Sequence, residues 1–218
     1  MKFPMKKLIL KTALLTLGIT IILGIAVFGI VSFVAPAAMV DFSASLGLDG
    51  LAGDYAYQEY ERSGSLTYLA RSFEISASRR NDRKASERFD VLYGEDESER
   101  REEFYTFCNE YVQPDVAGAP ADYRMYLCGQ AARVKYRLAG KAEEKSDVLR
   151  FALSETDDMF SHGNPLISLA VEAASAEDKE FCGEMVARME AHFSDEVKND
   201  KGNDYRFIIN ILKEKCSE

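Results

Sequence analysis

A run of 29 residues without a charged side chain, residues 12–40, most constrains what this chain can fold into. Its centre, residues 12–34, reads TALLTLGITIILGIAVFGIVSFV. As an α-helix this segment would reach about 34 Å at about 1.5 Å per residue, enough to cross a hydrocarbon core of about 30 Å. A helix packed into a water-soluble core does not need an apolar surface all the way round. The run therefore predicts a transmembrane helix at 12–34 that contacts the lipid bilayer.

The residues on either side of the run predict its orientation. The first charge after it is Asp41, and four lysines precede it: Lys2, Lys6, Lys7 and Lys11. By the positive-inside rule, residues 1–11 form a short basic cytoplasmic tail, and the chain beyond the span lies outside the cytoplasm. The alternative is a cleaved signal peptide with small residues near its end at Ala35, Ala37 and Ala38, which would make the protein secreted. The length of the apolar stretch favours a retained anchor in the cell membrane.

The rest of the chain is acidic. The formal net charge is −9, and the four N-terminal lysines leave −13 for residues 41–218. This balance opposes nucleic-acid binding, so we expect no nucleic-acid partner. Apolar residues make up 47% of the chain, which excludes a disordered polymer.

Residues 46–218 are predicted to form one all-helical extracytoplasmic domain, joined to the span by a linker at 35–45. Apolar residues recur every three or four positions, as in the stripe Phe181, Met185, Met189 and Phe193. Strand patterns and hairpin turns are missing. The predicted helices lie roughly at 46–62, 65–79, 82–93, 97–112, 120–139, 141–155, 164–174, 176–193 and 202–216.

Capping residues predict several helix ends. Asn164 followed by Pro165 is typical of a helix start, and Ser175 with Asp178 resembles a capping box. Glycines at Gly94, Gly140 and Gly163 stand where helices should stop.

Helical pairs recur along the domain, with starts near residues 48, 82, 120 and 164. Residues 51–77, LAGDYAYQEYERSGSLTYLARSFEISA, place Tyr57 and Tyr60 before a turn at Gly64, with a stripe of Leu66, Leu69, Phe73 and Ala77 after it. This segment resembles a tetratricopeptide repeat, although the repeat's tryptophan and closing proline are missing. As a whole the chain is similar to single-pass bacterial membrane proteins with a degenerate tetratricopeptide-like ectodomain. The resemblance implies an array of antiparallel helical hairpins that binds proteins, with an irregular helical bundle as the alternative.

No catalytic or metal-binding motif is found. The two histidines, His162 and His192, are 30 residues apart, and no zinc, phosphate-loop or nucleophile-elbow pattern occurs. The oxygen-rich residues Asp195, Asn199 and Asp200 miss the spacing of a calcium loop. We therefore expect no cofactor and no enzyme activity.

Two groups of residues are candidate sites. The cysteines at Cys108, Cys128, Cys182 and Cys216 either form disulfides, with Cys108–Cys128 and Cys182–Cys216 each joining neighbouring predicted helices, or are buried thiols. The tyrosines Tyr55, Tyr57, Tyr60 and Tyr68 either mark an interaction surface or pack in the core.

The sequence thus predicts a single-pass membrane protein whose outer domain is a protein–protein interaction or scaffolding module for a protein partner that the sequence does not identify. Two alternatives stay open. One is a cell-envelope enzyme with paired carboxylates, which would need an enclosed pocket. The other is a structural subunit of a membrane complex, paired through its span.

Overall fold

The computed structural model describes residues 5–94, 98–110, 120–156, 164–192 and 203–217. These residues form eleven helices and no strand, which confirms the all-helical prediction for this part of the chain. The helices are α1 Met5–Val34, α2 Pro36–Ser45, α3 Asp49–Ser63, α4 Leu66–Ser78, α5 Asp82–Tyr93, α6 Ser98–Glu110, α7 Pro120–Leu138, α8 Ala142–Glu155, α9 Pro165–Ser175, α10 Lys179–His192 and α11 Asn203–Ser217. They divide into two compact units, α1–α3 and α4–α11, between Gly64 and Ser65.

Helix α1 contains residues 12–34 of the charge-free run. Its segment Lys11–Val34 is long and apolar enough to cross a membrane or to serve as a signal sequence, and none of it is buried in the structure. Its hydroxyl groups donate to backbone carbonyls one turn earlier: Thr16 to Thr12 and Thr20 to Thr16 at 2.9 Å, and Ser32 to Phe28 at 2.7 Å. These polar groups therefore need no water, which suits an apolar surrounding.

Helices α2 and α3 form an antiparallel hairpin around a small core of Met39, Val40, Tyr55 and Ala56. Most of the segment predicted as a linker, 35–45, is helix α2. Pro36 occupies the first turn of α2, where its missing N–H costs nothing, and the buried side chains of Met39 and Val40 hold the helix against α3. The predicted domain boundary at residue 46 also differs from the structure, which places α3 with α1 and α2.

The second unit is held together by contacts between neighbouring helices. Each helix packs on the next along the chain, and α7 also contacts α5 and α9, while α9 also contacts α11. Small side chains on α7 and α9, among them Ala132, Ala170 and Ala173, are fully buried, which permits close approach of helices. Ion pairs cross the same contacts: Arg133 to Glu172 at 2.8 Å, Arg137 to Glu172 at 3.2 Å, and Arg137 to Asp82 at 2.6 Å.

An aromatic cluster fills the core near α5. The ring of Phe89 lies 5.2 Å from Phe73 on α4, 6.2 Å from Phe104 on α6 and 5.8 Å from Phe151 on α8, measured between centroids. Edge-on and tilted arrangements of this kind are favourable between aromatic rings. The rings tie α4, α5, α6 and α8 into one body.

The predicted caps are partly confirmed. Gly94 ends α5 in the left-handed conformation with φ of 67°. The Ser175 and Asp178 box is wrong, because Ser175 still belongs to α9 and Asp178 alone accepts a hydrogen bond from the Phe181 N–H at 3.3 Å. Gly140 follows the end of α7 at Leu138, as predicted, and its N–H donates to Glu144 of α8 at 2.7 Å. Gly163 lies outside the described residues.

Asn164 caps α9 as predicted, and its removal should weaken the fold. The Oδ1 atom accepts from the N–H groups of Leu166 at 3.0 Å and Ile167 at 3.3 Å, inside the core. We expect Asn164→Ala to lower the free energy of unfolding by about 1 kcal/mol, measured by urea unfolding of the full chain in detergent micelles. Asn164→Asp, which keeps the acceptor, is the control. Equal stability of the alanine variant would show that this cap contributes nothing.

Candidate binding groove

An apolar groove runs between α9 and α11 in the second unit. It has a volume of about 260 Å³, and its walls are Ile167, Val171 and Ala174 from α9 with Ile208, Ile211, Leu212 and Lys215 from α11. The α9 residues follow each other at helical spacing, as do those of α11, so each wall is one face of a helix. The local sequence thus builds two apolar stripes, and packing sets them side by side.

The upper walls of the groove remain open to water. Val171 is 42% exposed and Ile211 is 38% exposed, while Ile167 and Leu212 beneath them are almost fully buried. Phe207 is exposed one turn before Ile211 on the same face of α11. An exposed set of large apolar side chains around a depression is typical of a binding surface.

The other end of the groove is charged. A second cavity of about 390 Å³ shares Ala174 and Lys215 with the groove and adds Glu177, Asp178, Lys179, Cys182 and Cys216. The combined depression is apolar at one end and carries both signs of charge at the other.

Asp178 at this charged end is held as a carboxylate. It accepts hydrogen bonds from Tyr136 Oη at 2.8 Å and from Lys145 Nζ. Burial alone would raise the pKa of Asp178, but these donors and the Phe181 N–H outweigh it and hold the pKa below its usual 3.8. A lowered pKa is the opposite of what a general acid requires near neutral pH.

A disulfide fastens one wall of the groove. Cys182 on α10 is bonded to Cys216 on α11, with their Cα atoms 5.7 Å apart. The bridge closes a loop of 34 residues and ties α11 to α10. It therefore holds the α11 wall of the groove in place.

The other two cysteines are buried thiols. Cys108 on α6 and Cys128 on α7 are both free. Burial raises the pKa of Cys108 to about 12 and raises that of Cys128 well above its usual range. Because the thiolate is the reactive form, neither group is suited to act as a nucleophile.

These assignments predict a specific thiol count. We expect no reaction with a thiol reagent in the folded protein at neutral pH, two thiols after denaturation without reductant, and four after reduction. Four thiols before reduction would contradict the bridge, and none would show that Cys108 and Cys128 are also joined.

A buried carboxylate, Glu155 at the end of α8, organises a second polar cluster. Its Oε1 accepts from Tyr93 Oη at 2.6 Å and Tyr105 Oη at 3.0 Å, and its Oε2 accepts from Arg124 at 3.2 Å. The Cys128 sulfur lies 3.8 Å from Oε2. Residues from α5, α6, α7 and α8 thus converge on one carboxylate.

The cluster around Glu155 acts as a structural tie between helices. Burial, and then Glu155 itself, raises the pKa of both Tyr93 and Tyr105, so both hydroxyls stay protonated and keep donating. Sequence reasoning did not single out Glu155. The sequence signal for its burial is its helical spacing from Val148 and Ala152, which places Glu155 on the otherwise apolar face of α8.

Removing this carboxylate should be costly. We expect Glu155→Ala to lower the free energy of unfolding by about 3–5 kcal/mol, because Arg124 and two phenols lose a buried acceptor. Glu155→Gln keeps an acceptor and should lose less. The control is Glu103→Ala on α6, which breaks an exposed ion pair with Arg100 and should change stability by less than about 0.5 kcal/mol. Both variants are measured by urea unfolding. An equal loss of unfolding free energy in Glu155→Ala and Glu103→Ala would show that the cluster does not hold the helices together.

The four candidate tyrosines do not form one group within a unit. Tyr55 is buried and its hydroxyl lies 2.9 Å from Ser32 Oγ, while Tyr57 and Tyr60 pair with ring centroids 5.9 Å apart. Tyr68 is half-buried on α4, in the other unit.

Metal ligands are not brought together in the part of the chain that the structure describes, where no three His, Cys, Asp or Glu side chains could hold an ion. His162, Asp195, Asn199, Asp200 and the side chain of His192 lie outside it.

Comparison with family models, with characterised protein sequences and with solved structures finds no match to this chain.

Proposed function

We propose that this protein is a membrane-anchored, extracytoplasmic helical-repeat protein that binds a segment of a partner protein in the groove between α9 and α11. The observation that carries the proposal is that groove: two apolar helix faces, open to water, beside a charged end. An amphipathic helix or an extended peptide with apolar side chains and flanking charges has the matching chemistry.

The surface of α1 supports the anchor. Its apolar segment is exposed all round, its hydroxyls are satisfied within the helix, and lysines precede it. Such a surface is stable in lipid and costly in water. A retained span and a cleaved signal peptide would both leave the second unit outside the cytoplasm. We favour the retained span because the apolar segment is longer than that of a signal peptide.

The contacts of the second unit support the repeat architecture. Helix α7 packs on α5 and α9, and α9 packs on α11, as expected when successive hairpins stack. The hairpins would be α4–α5, α6–α7, α8–α9 and α10–α11. This register differs from that of the tetratricopeptide-like segment, whose two helices, α3 and α4, belong to different units.

Site-specific photo-crosslinking in intact cells tests the proposal. A photoreactive residue at Ile211 should form an adduct with a partner protein, and one at Val91 should not, because Val91 is similarly exposed but lies on α5, outside the groove. Val171→Glu should abolish the Ile211 adduct, since it places a charge in the apolar wall, and Val91→Glu should leave it unchanged.

Three results would contradict this binding mode. They are the absence of any adduct at Ile211, an adduct there that survives Val171→Glu, and an adduct with the mass of two copies of the chain. The last of these would identify the groove as a contact between copies.

A further inference from the structure

The α2–α3 hairpin has a second apolar edge that its own core does not use. Phe42 is 48%, Leu46 is 57%, Leu48 is 46% and Leu51 is 44% exposed. These four side chains lie within ten residues, at the turn between the helices. The opposite side of α2 is occupied, because Met39 and Val40 pack against Tyr55 and Ala56 of α3. The hairpin therefore has one satisfied and one unsatisfied apolar surface.

The hairpin is fixed to the end of α1. Tyr55 meets Ser32 through its hydroxyl at 2.9 Å, and Arg62 Nη1 donates to the Val34 carbonyl at 3.3 Å. Arg62 is itself oriented by Glu59, which accepts from its Nε at 3.1 Å and its Nη2 at 2.9 Å. An arginine at the last carbonyls of a helix also suits the helix dipole.

These contacts place the α2–α3 hairpin beside the last turn of α1. Both reach the last turn of α1, while Lys11–Val34 is not buried along its length. The hairpin therefore meets the end of α1 and does not pack along it. If α1 crosses a bilayer, its last turn lies at the boundary between acyl chains and headgroups, and the hairpin lies at that boundary too.

The charge around the edge determines which membrane surface fits. Residues 35–61 contain no Lys or Arg, and Asp41 and Asp49 stand next to the exposed apolar side chains. Anionic headgroups would be repelled by these carboxylates. The surface that fits is a zwitterionic membrane. The hairpin would bind it because apolar side chains are buried, and not because opposite charges attract.

We propose that the α2–α3 hairpin is an interfacial collar whose edge of Phe42, Leu46, Leu48 and Leu51 inserts between the headgroups of the bilayer that α1 spans. This inference rests on the proposed membrane anchor and adds a second membrane contact to it. The collar would limit tilting of the first unit relative to the membrane plane, because the exposed edge must stay at the depth of the interface.

Tryptophan fluorescence tests the collar directly, because the chain has no tryptophan. The full chain carrying one substitution, Leu46→Trp or Phe28→Trp, is reconstituted into phosphatidylcholine vesicles with and without brominated acyl chains. Phe28→Trp lies within the α1 segment and reports the span. Free N-acetyltryptophanamide in the same buffer gives the emission expected in water. We expect Leu46→Trp to emit at shorter wavelength than the free compound and to be quenched by the brominated lipid, as Phe28→Trp is.

The outcomes separate the collar from the anchor. Quenching at Phe28→Trp with water-like emission at Leu46→Trp would overturn the collar and leave the anchor standing. A blue shift at Leu46→Trp without lipid quenching would also overturn it, and would point to contact with protein, such as a second copy. Absence of quenching at Phe28→Trp would overturn the anchor itself. Leu48→Trp repeats the measurement at a second exposed position of the edge.

Discussion

The second unit depends on the position of α7, which packs against α5, α6, α8 and α9. One helix can serve so many neighbours because its small side chains let α9 approach closely, while Arg137 also reaches Asp82 on α5. Glu172 on α9 pairs with both Arg133 and Arg137. Burial alone would raise the pKa of Glu172, but the hydrogen bonds from these arginines outweigh it and lower the pKa. A buried carboxylate of this kind specifies which helix faces α7, in addition to any stability it contributes.

Two regions of different character follow from this arrangement. Around Glu155, four helices enclose a carboxylate that accepts hydrogen bonds from two phenols and an arginine, so that region ties the helices together. Between α9 and α11, apolar faces meet without closing, and the disulfide from Cys182 to Cys216 holds α11 beside α10. The first region is suited to stability and the second to binding. The first unit combines the apolar α1 with a hairpin that keeps an apolar edge exposed.

Much of the helical layout was predictable because it depends on local chemistry. Apolar spacing and short-range capping located all nine helices after residue 46, and Asn164 caps α9 as expected. Helix α2 was missed because it continues the apolar composition of the run before it and shows no clear stripe. Its buried face is defined only by α3. Glu155 was missed for a related reason. A glutamate at a helix end is normally expected to be solvated, and Glu155 is buried only because helices from elsewhere in the chain surround it.

By itself, the sequence determined that one segment of the chain is apolar enough to cross a membrane, that the rest is acidic, and where most of the described helices begin and end. These properties depend on residues within a few positions of each other, or on composition. The tertiary structure alone decided that Cys182 meets Cys216, that Tyr93 meets Glu155, and that stripes on α9 and α11 face each other. Each is a contact between distant parts of the chain, and several pairings have compatible chemistry. Packing selects among them, because only one arrangement of the helices buries their apolar faces together.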